Sequence, residues 1–158
     1  ANWTGDAKFA QIDGWHKNGH TVWNYANPQT PIEDAEMYRR NYGLYNWKLG
    51  IDGTCTYCYM DSSGTQWNDW DGHVYRDHCV AYPTVDGVVE TLALEGLREA
   101  LDEVKYATKL MQLIDKQKNG PKSSIAEDAK KFIENLDTSS AELHEVRADM
   151  IKWILKLM

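Results

Sequence analysis

The residues of this chain best suited to chemistry are its aromatic rings and the amides and carboxylates set among them. Gln66-Trp67-Asn68-Asp69-Trp70-Asp71 places two indoles between amides and acids, and Tyr57-Cys58-Tyr59-Met60-Asp61 carries a second aromatic run onto a carboxylate. Asn24, Tyr25 and Asn27 form a third group. Rings offer flat apolar faces with a polar edge, and amides and acids offer directional hydrogen bonds; together they suit a concave site for a hydroxyl-rich ligand such as a sugar. The candidate substrate-binding residues are therefore Asn24, Tyr25, Asn27, Tyr57, Tyr59, Asp61, Trp67, Trp70 and Asp71. Packing in a core is the competing use of each ring, and it matters because most of the seven Trp and nine Tyr precede residue 83.

Other chemistries find less support. Asp61, Asp69 and Asp71 share one loop, but acids are mostly solvated surface, and no residue is assigned a catalytic role. Cys55-Thr56-Tyr57-Cys58 is a C-x-x-C inside a strand-like run, where residues three apart face opposite sides, so the thiols are not presented together. His73, His78 and Cys79 are close in sequence but lack a second Cys or His pair at ligand spacing, so neither metal nor cofactor is expected. Gly-rich phosphate loops, nucleophile elbows and two-His metal helices are missing from the sequence. A net charge of -7 without a basic run argues against nucleic acid. No apolar run approaches the roughly 18 residues of a membrane-spanning helix.

The elements that must position these residues follow from periodicity. Asp6 caps an expected helix over 7–17, with Phe9, Ile12 and Trp15 or His16 inward and Gly19 as its stop. The β-branched and aromatic run His20 to Ala26 predicts a strand, ended by Asn27-Pro28. Tyr38, Tyr42, Tyr45 and Leu49 predict one helix from about Glu33 to Leu49, which Gly50 terminates. Ile51-Asp52-Gly53 turns into a second strand, Thr54 to Met60, followed by a long loop from Asp61 to Thr91. Leu94, Leu97, Leu101, Val104 and Met111, widened by Leu110, Leu113 and Ile114, predict a long amphipathic helix that Asn119-Gly120-Pro121 stops. On it Arg98 and Asp102 stand four apart, the spacing of an ion pair. Ser124 with Glu127 and Ser139 with Glu142 read as capping boxes of two more helices, Ile125 to Leu136 and Ala141 to Leu157. The second carries the stripe Leu143, Val146, Met150, Trp153 and Leu157. Strands alternating with helices imply parallel βαβ units, in which ligands meet the carboxyl ends of the strands.

Three motifs in sequence carry a resemblance. Trp47-Lys48-Leu49-Gly50-Ile51-Asp52-Gly53, then Tyr82-Pro83 with Asp86-Gly87, then Glu95-Gly96-Leu97-Arg98-Glu99-Ala100-Leu101-Asp102-Glu103-Val104-Lys105-Tyr106 resemble the corresponding stretches near the end of the catalytic barrel of glycoside hydrolase family 123 and its uncharacterised relatives. The match runs from about Ala7 to Asp115. It implies an α/β fold, the C-terminal portion of a (β/α)8 TIM-type barrel over 1–118, followed by a small helical extension over 119–158. A complete barrel typically needs about 250 residues, so a longer protein is expected, with a missing N-terminal barrel half or a partner chain completing the sheet. The resemblance further implies N-acetylhexosamine-containing glycans as substrate, substrate-assisted hydrolysis and a periplasmic or secreted setting. The adjacent Asp-Glu pair implied by the family belongs to a strand that these residues do not include, so this chain supplies substrate contacts and is inactive alone. A non-catalytic carbohydrate-binding or helical interaction module is the alternative.

Overall fold

The structure is a computed structural model and describes residues 6–25, 34–61, 64–71 and 77–158, with side chains from Gln11 onward. Asn27, His73 and the side chain of Phe9 lie outside the described residues. The elements are α1 (Asp6–Lys17), β1 (Trp23–Tyr25), α2 (Ala35–Tyr42), α3 (Leu44–Lys48), β2 (Gly53–Cys55), β3 (Met60–Asp61), β4 (His78–Cys79), β5 (Ala81–Pro83), β6 (Val88–Glu90), α4 (Leu92–Gln117), α5 (Ser123–Glu134) and α6 (Leu143–Leu157). They fall into two compact units, 1–100 and 101–158. None of the described helices is long and apolar enough to cross a membrane.

In the first unit β1 and β2 pair in parallel, Trp23 opposite Gly53, Asn24 opposite Thr54 and Tyr25 opposite Cys55, with α2 and α3 between them in sequence. Both strands are shorter than expected. β2 ends at Cys55 because the chain then turns to a different neighbour: the Val80 amide donates to Tyr59 O at 2.9 Å, and β3 pairs antiparallel with β4. The stretch 61–91 is likewise not one loop. β5 and β6 form an antiparallel hairpin across Thr84 to Gly87, closed by the Thr84 amide on Gly87 O at 2.8 Å. Tyr82, Val88 and Val89 favour strand and Asp86-Gly87 favours the turn, but three-residue strands are too short to show alternation.

The single helix expected to Leu49 breaks at Gly43 into α2 and α3. Asp34 caps α2, its Oδ1 accepting from the Met37 amide at 3.0 Å, and Gly50, at φ 76°, takes the end of α3. Gly43 is buried against α4: a Cβ there would lie 3.1 Å from the Ala100 Cβ. Gly96 makes the reciprocal approach, where a Cβ would meet Ala35 O and lie 2.9 Å from Tyr38 Cβ. Two glycines thus let the backbones of α2 and α4 come together, over a core of Tyr38, Tyr42, Val80, Ala93 and Ala100, with Leu94 and Leu97 packed at its margin.

The buried line of α4 consequently departs from the expected leucine stripe up to Ala107 and joins it at Leu110, Leu113 and Ile114. It runs Ala93, Gly96, Ala100, Glu103, Ala107, Leu110 and Ile114, alternating three and four residues, while Leu101 is 54% exposed. Arg98 donates to Glu90 at 2.7 Å and Glu95 at 3.0 Å, tying β6 to α4, whereas Asp102 takes Lys105 at 2.9 Å. The expected Arg98–Asp102 pair gives way because Glu90, from the hairpin, is the better placed acid.

In the second unit Leu110, Leu113 and Ile114 of α4, Ala126, Ala129 and Ile133 of α5, and Leu143, Val146, Met150, Ile154 and Leu157 of α6 are buried. Ile154 replaces half-buried Trp153 in the expected stripe, as a 3.6-residue period allows. Glu103, fully buried, accepts from Arg147 at 3.2 Å. The two expected capping boxes do not form, since neither α5 nor α6 has a side-chain cap hydrogen bond. Asp137 does the local work before α6: its carboxylate accepts the Ser139 amide at 2.9 Å and the hydroxyls of Ser139 and Ser140, which hold its pKa well below the usual carboxylate range.

Candidate functional site

The strand ends gather part of the expected site. Asn24 does not face outward: its Nδ2 donates to Oδ1 of buried Asn46 at 2.9 Å, and Asn46 Nδ2 reaches Thr54 Oγ1 at 3.5 Å, so the amide fixes β1 against α3 and β2. Alternation along β1 then leaves Trp23 and Tyr25 on the other side, both exposed. Tyr57 Oη donates to Asp61 Oδ2 at 2.5 Å. That bond and the charge of Asp61 push the phenol up to about 12, with Tyr25 adding a smaller electrostatic push, so Tyr57 is a donor and not a base near neutral pH. The Tyr57 ring meets His78 edge-on at 5.3 Å, which follows from the β3–β4 register that sets Asp61 opposite His78. Tyr59 is exposed.

Cys55, Cys58 and Cys79 are free thiols. Cys55 points toward Asn24 O and Cys58 toward His78 O at 3.2 Å, so the two cysteines of the C-x-x-C are turned to different neighbours. Burial, then the charge of Asp61, pushes the Cys58 thiol up, away from reactive thiolate. Among the described residues no group of three His, Cys, Asp or Glu side chains is arranged to hold a metal ion.

The Trp67 group stands on the hairpin. Trp67 Nε1 donates to Pro83 O at 2.8 Å, and its ring stacks on Tyr82 at 5.3 Å and 29°. Tyr82 Oη in turn lies 2.8 and 2.7 Å from the two carboxylate oxygens of Asp69. The indole is thus fixed at one edge and backed on one face, yet 62% exposed. Asp71 is occupied locally: it accepts the Thr65 amide at 2.7 Å and the Thr65 hydroxyl at 2.8 Å, which lower its pKa and close the turn. Its role is to shape the segment bearing Trp67 and Trp70, the latter equally exposed.

A cleft of about 360 Å³ opens between α1 and the β1–β2 pair, lined by Gln11, Ile12, Trp15, Trp23, Asn24 and Tyr25 together with Val22 and Ile51. Trp15, expected as an inward residue of α1, is exposed at this cleft and held by an edge contact with His20 at 5.4 Å, while Ile12 is buried. The Trp23 indole lies across its strand partner Gly53: a Cβ there would fall 2.6 Å from Cε2 and 2.7 Å from Cδ2. The entrance to β2 is fixed by Asp52, which accepts the Val22 amide at 2.7 Å and meets His16 Nε2 at 2.8 Å.

Sequence reasoning missed Trp15, Trp23, Tyr82 and Gln11. Trp23 could have been found, being two residues before Tyr25 on one strand, whereas Tyr82 is recognisable only once the hairpin brings it under Trp67. No family model matches the chain, and no curated protein matches it.

Proposed function

We propose that this chain is the substrate-contacting, C-terminal segment of a glycoside hydrolase-like (β/α)8 barrel of the family 123 type, binding N-acetylhexosamine-containing glycans. The observation that carries the reading is Trp67, anchored through Nε1 and backed by Tyr82 with most of its surface in solvent. Placing a large indole so costs burial energy and serves recognition, because the outer face is available for stacking on the C–H face of a sugar ring. The parallel β1–β2 pair supports the barrel architecture: among the described residues each of these strands has one strand neighbour, leaving an edge on each side for further strands. Substrate-assisted hydrolysis then draws its acid pair from outside these residues, and the same reading carries a secreted or periplasmic setting. A carbohydrate-binding module without catalysis uses the same rings.

The test is titration of the protein with N,N′-diacetylchitobiose, comparing Trp67→Ala and Trp70→Ala with the parent, each also melted. Loss of a stacking ring weakens binding by about 1 kcal/mol with the melt nearly unchanged. If both variants melt far earlier and the folded fraction binds unaltered, these rings are core and the reading fails. Assay on an aryl N-acetyl-hexosaminide is expected to yield no turnover by this chain alone; turnover abolished by Asp61→Asn would place the chemistry here instead.

A further inference from the structure

We infer that the cleft between α1 and the β1–β2 pair is a second saccharide subsite, selective for an uncharged sugar unit over an acidic one; this rests on the glycan-binding reading. Its about 360 Å³ lies at the small end of ligand pockets, which run from about 300 to 1,000 Å³. Trp23 lines it, its ring carried on the bare backbone of Gly53 and 64% exposed, and so contributes a broad apolar surface. Trp15 and Tyr25 line it too, and Gln11 supplies an amide donor and acceptor. Among the described residues every side chain lining the cleft is uncharged, and the nearby His16 and Asp52 are engaged with each other. A pyranose with only hydroxyl and acetamido groups loses little on entering such a place. A carboxylate or sulfate would give up water and meet no cation among the described residues in return. The cleft shares no residue with the Trp67 group, so occupancy of the two is separable.

The seven Trp make the experiment direct. Indole N–H resonances of the protein are followed by NMR during titration with N,N′-diacetylchitobiose and, separately, with a glucuronic acid–N-acetylglucosamine disaccharide, using Trp15→Phe, Trp23→Phe and Trp67→Phe for assignment. The neutral disaccharide is expected to shift the Trp15 and Trp23 signals, and the acidic one to need about tenfold higher concentration or more, a difference of one tenfold step in affinity. Gln11→Ala, a surface change, is expected to weaken the response at Trp23 about fivefold while sparing that at Trp67, the size of a lost hydrogen bond. Shifts at Trp67 or Trp70 with silence at Trp15 and Trp23 would overturn the subsite and leave the glycan reading standing. Silence of all indoles would remove both. Equal response to the two disaccharides would overturn the charge selectivity.

Discussion

Asn24 and Asn46 join side chains across 2.9 Å, amide to amide, so that strand β1 is pinned to helix α3 by a part-buried polar bond. Asn46 is buried and also reaches Thr54, which makes it the shared post of both parallel strands. Asn46→Ala leaves the Asn24 amide without this partner and is expected to cost about 1–3 kcal/mol. The measurement is a denaturant melt of Asn46→Ala beside Asn24→Ala and the double variant. Costs that simply add would show that the two amides act independently.

Tyr57 and Asp61 give a spectroscopic prediction. The hydrogen bond to Asp61 and its charge push the phenol up to about 12. In Asp61→Asn the charge is gone, and the tyrosine is expected to titrate nearer the ordinary value of about 10. Ultraviolet difference titration of the parent, Asp61→Asn and Tyr57→Phe isolates the phenol; an unchanged high-pH titration in Asp61→Asn would defeat the assignment.

Acid should loosen the start of β2. The Val22 amide, then the His16 side chain, holds the Asp52 carboxyl below its ordinary value. A carboxyl whose pKa is lower folded than unfolded stabilises the fold above the unfolded value, about 3.9, and that contribution is lost as pH falls through the folded pKa. Asp52→Asn should therefore melt below the parent at neutral pH, with the gap closing under acid conditions. A gap that persists in acid would mean that the loss is steric. Asp71 and Asp137 are lowered in the same way by their Thr65 and Ser139 bonds and give the parent further acid sensitivity of its own.

Gly96 tests the close approach of α2 and α4. Ala raises helix propensity by about 1 kcal/mol at an exposed position, but here its Cβ would press on Ala35 O and Tyr38. Crowding of a packed core typically costs about 1–3 kcal/mol, so Gly96→Ala is expected to be neutral to destabilising in a thermal melt, with Gly87→Ala, in open space, as its control. A clear gain in stability would show that the helices can part without cost.

The same helix shows what could be read in advance. The extent of α4, its stop at Gly120, the parallel pairing of β1 with β2 and the two last helices all follow from periodicity and punctuation. Its inward face follows only in part: Leu110, Leu113 and Ile114 are buried as expected, but before them burial was assigned to the largest apolar residues, and the line there includes Ala93, Gly96, Ala100 and Ala107, small where another helix comes near. Size of side chain signals burial only when the neighbour's distance is known. The candidate site divides similarly. Tyr25, Tyr57 and Trp67 were singled out from the sequence and are exposed, but Asn24 turned out to be a strand anchor and Asp71 a turn former, roles decided by which neighbour lies within 3 Å. Tyr82 became visible only through a hairpin whose strands are three residues each, too short for alternation to stand out.

The bare α-carbon of Gly53 has a bearing on how this surface could be retuned. What Trp23 offers to solvent is set from the neighbouring strand, by a residue that contributes no side chain. Substituting Ala or Ser at 53 adds or removes nothing in the ring itself, but evicts it from its seat and tilts or withdraws its face. One codon on β2 is therefore a dial for an aromatic surface on β1, and the recognition proposed there can drift while every ring stays in the sequence.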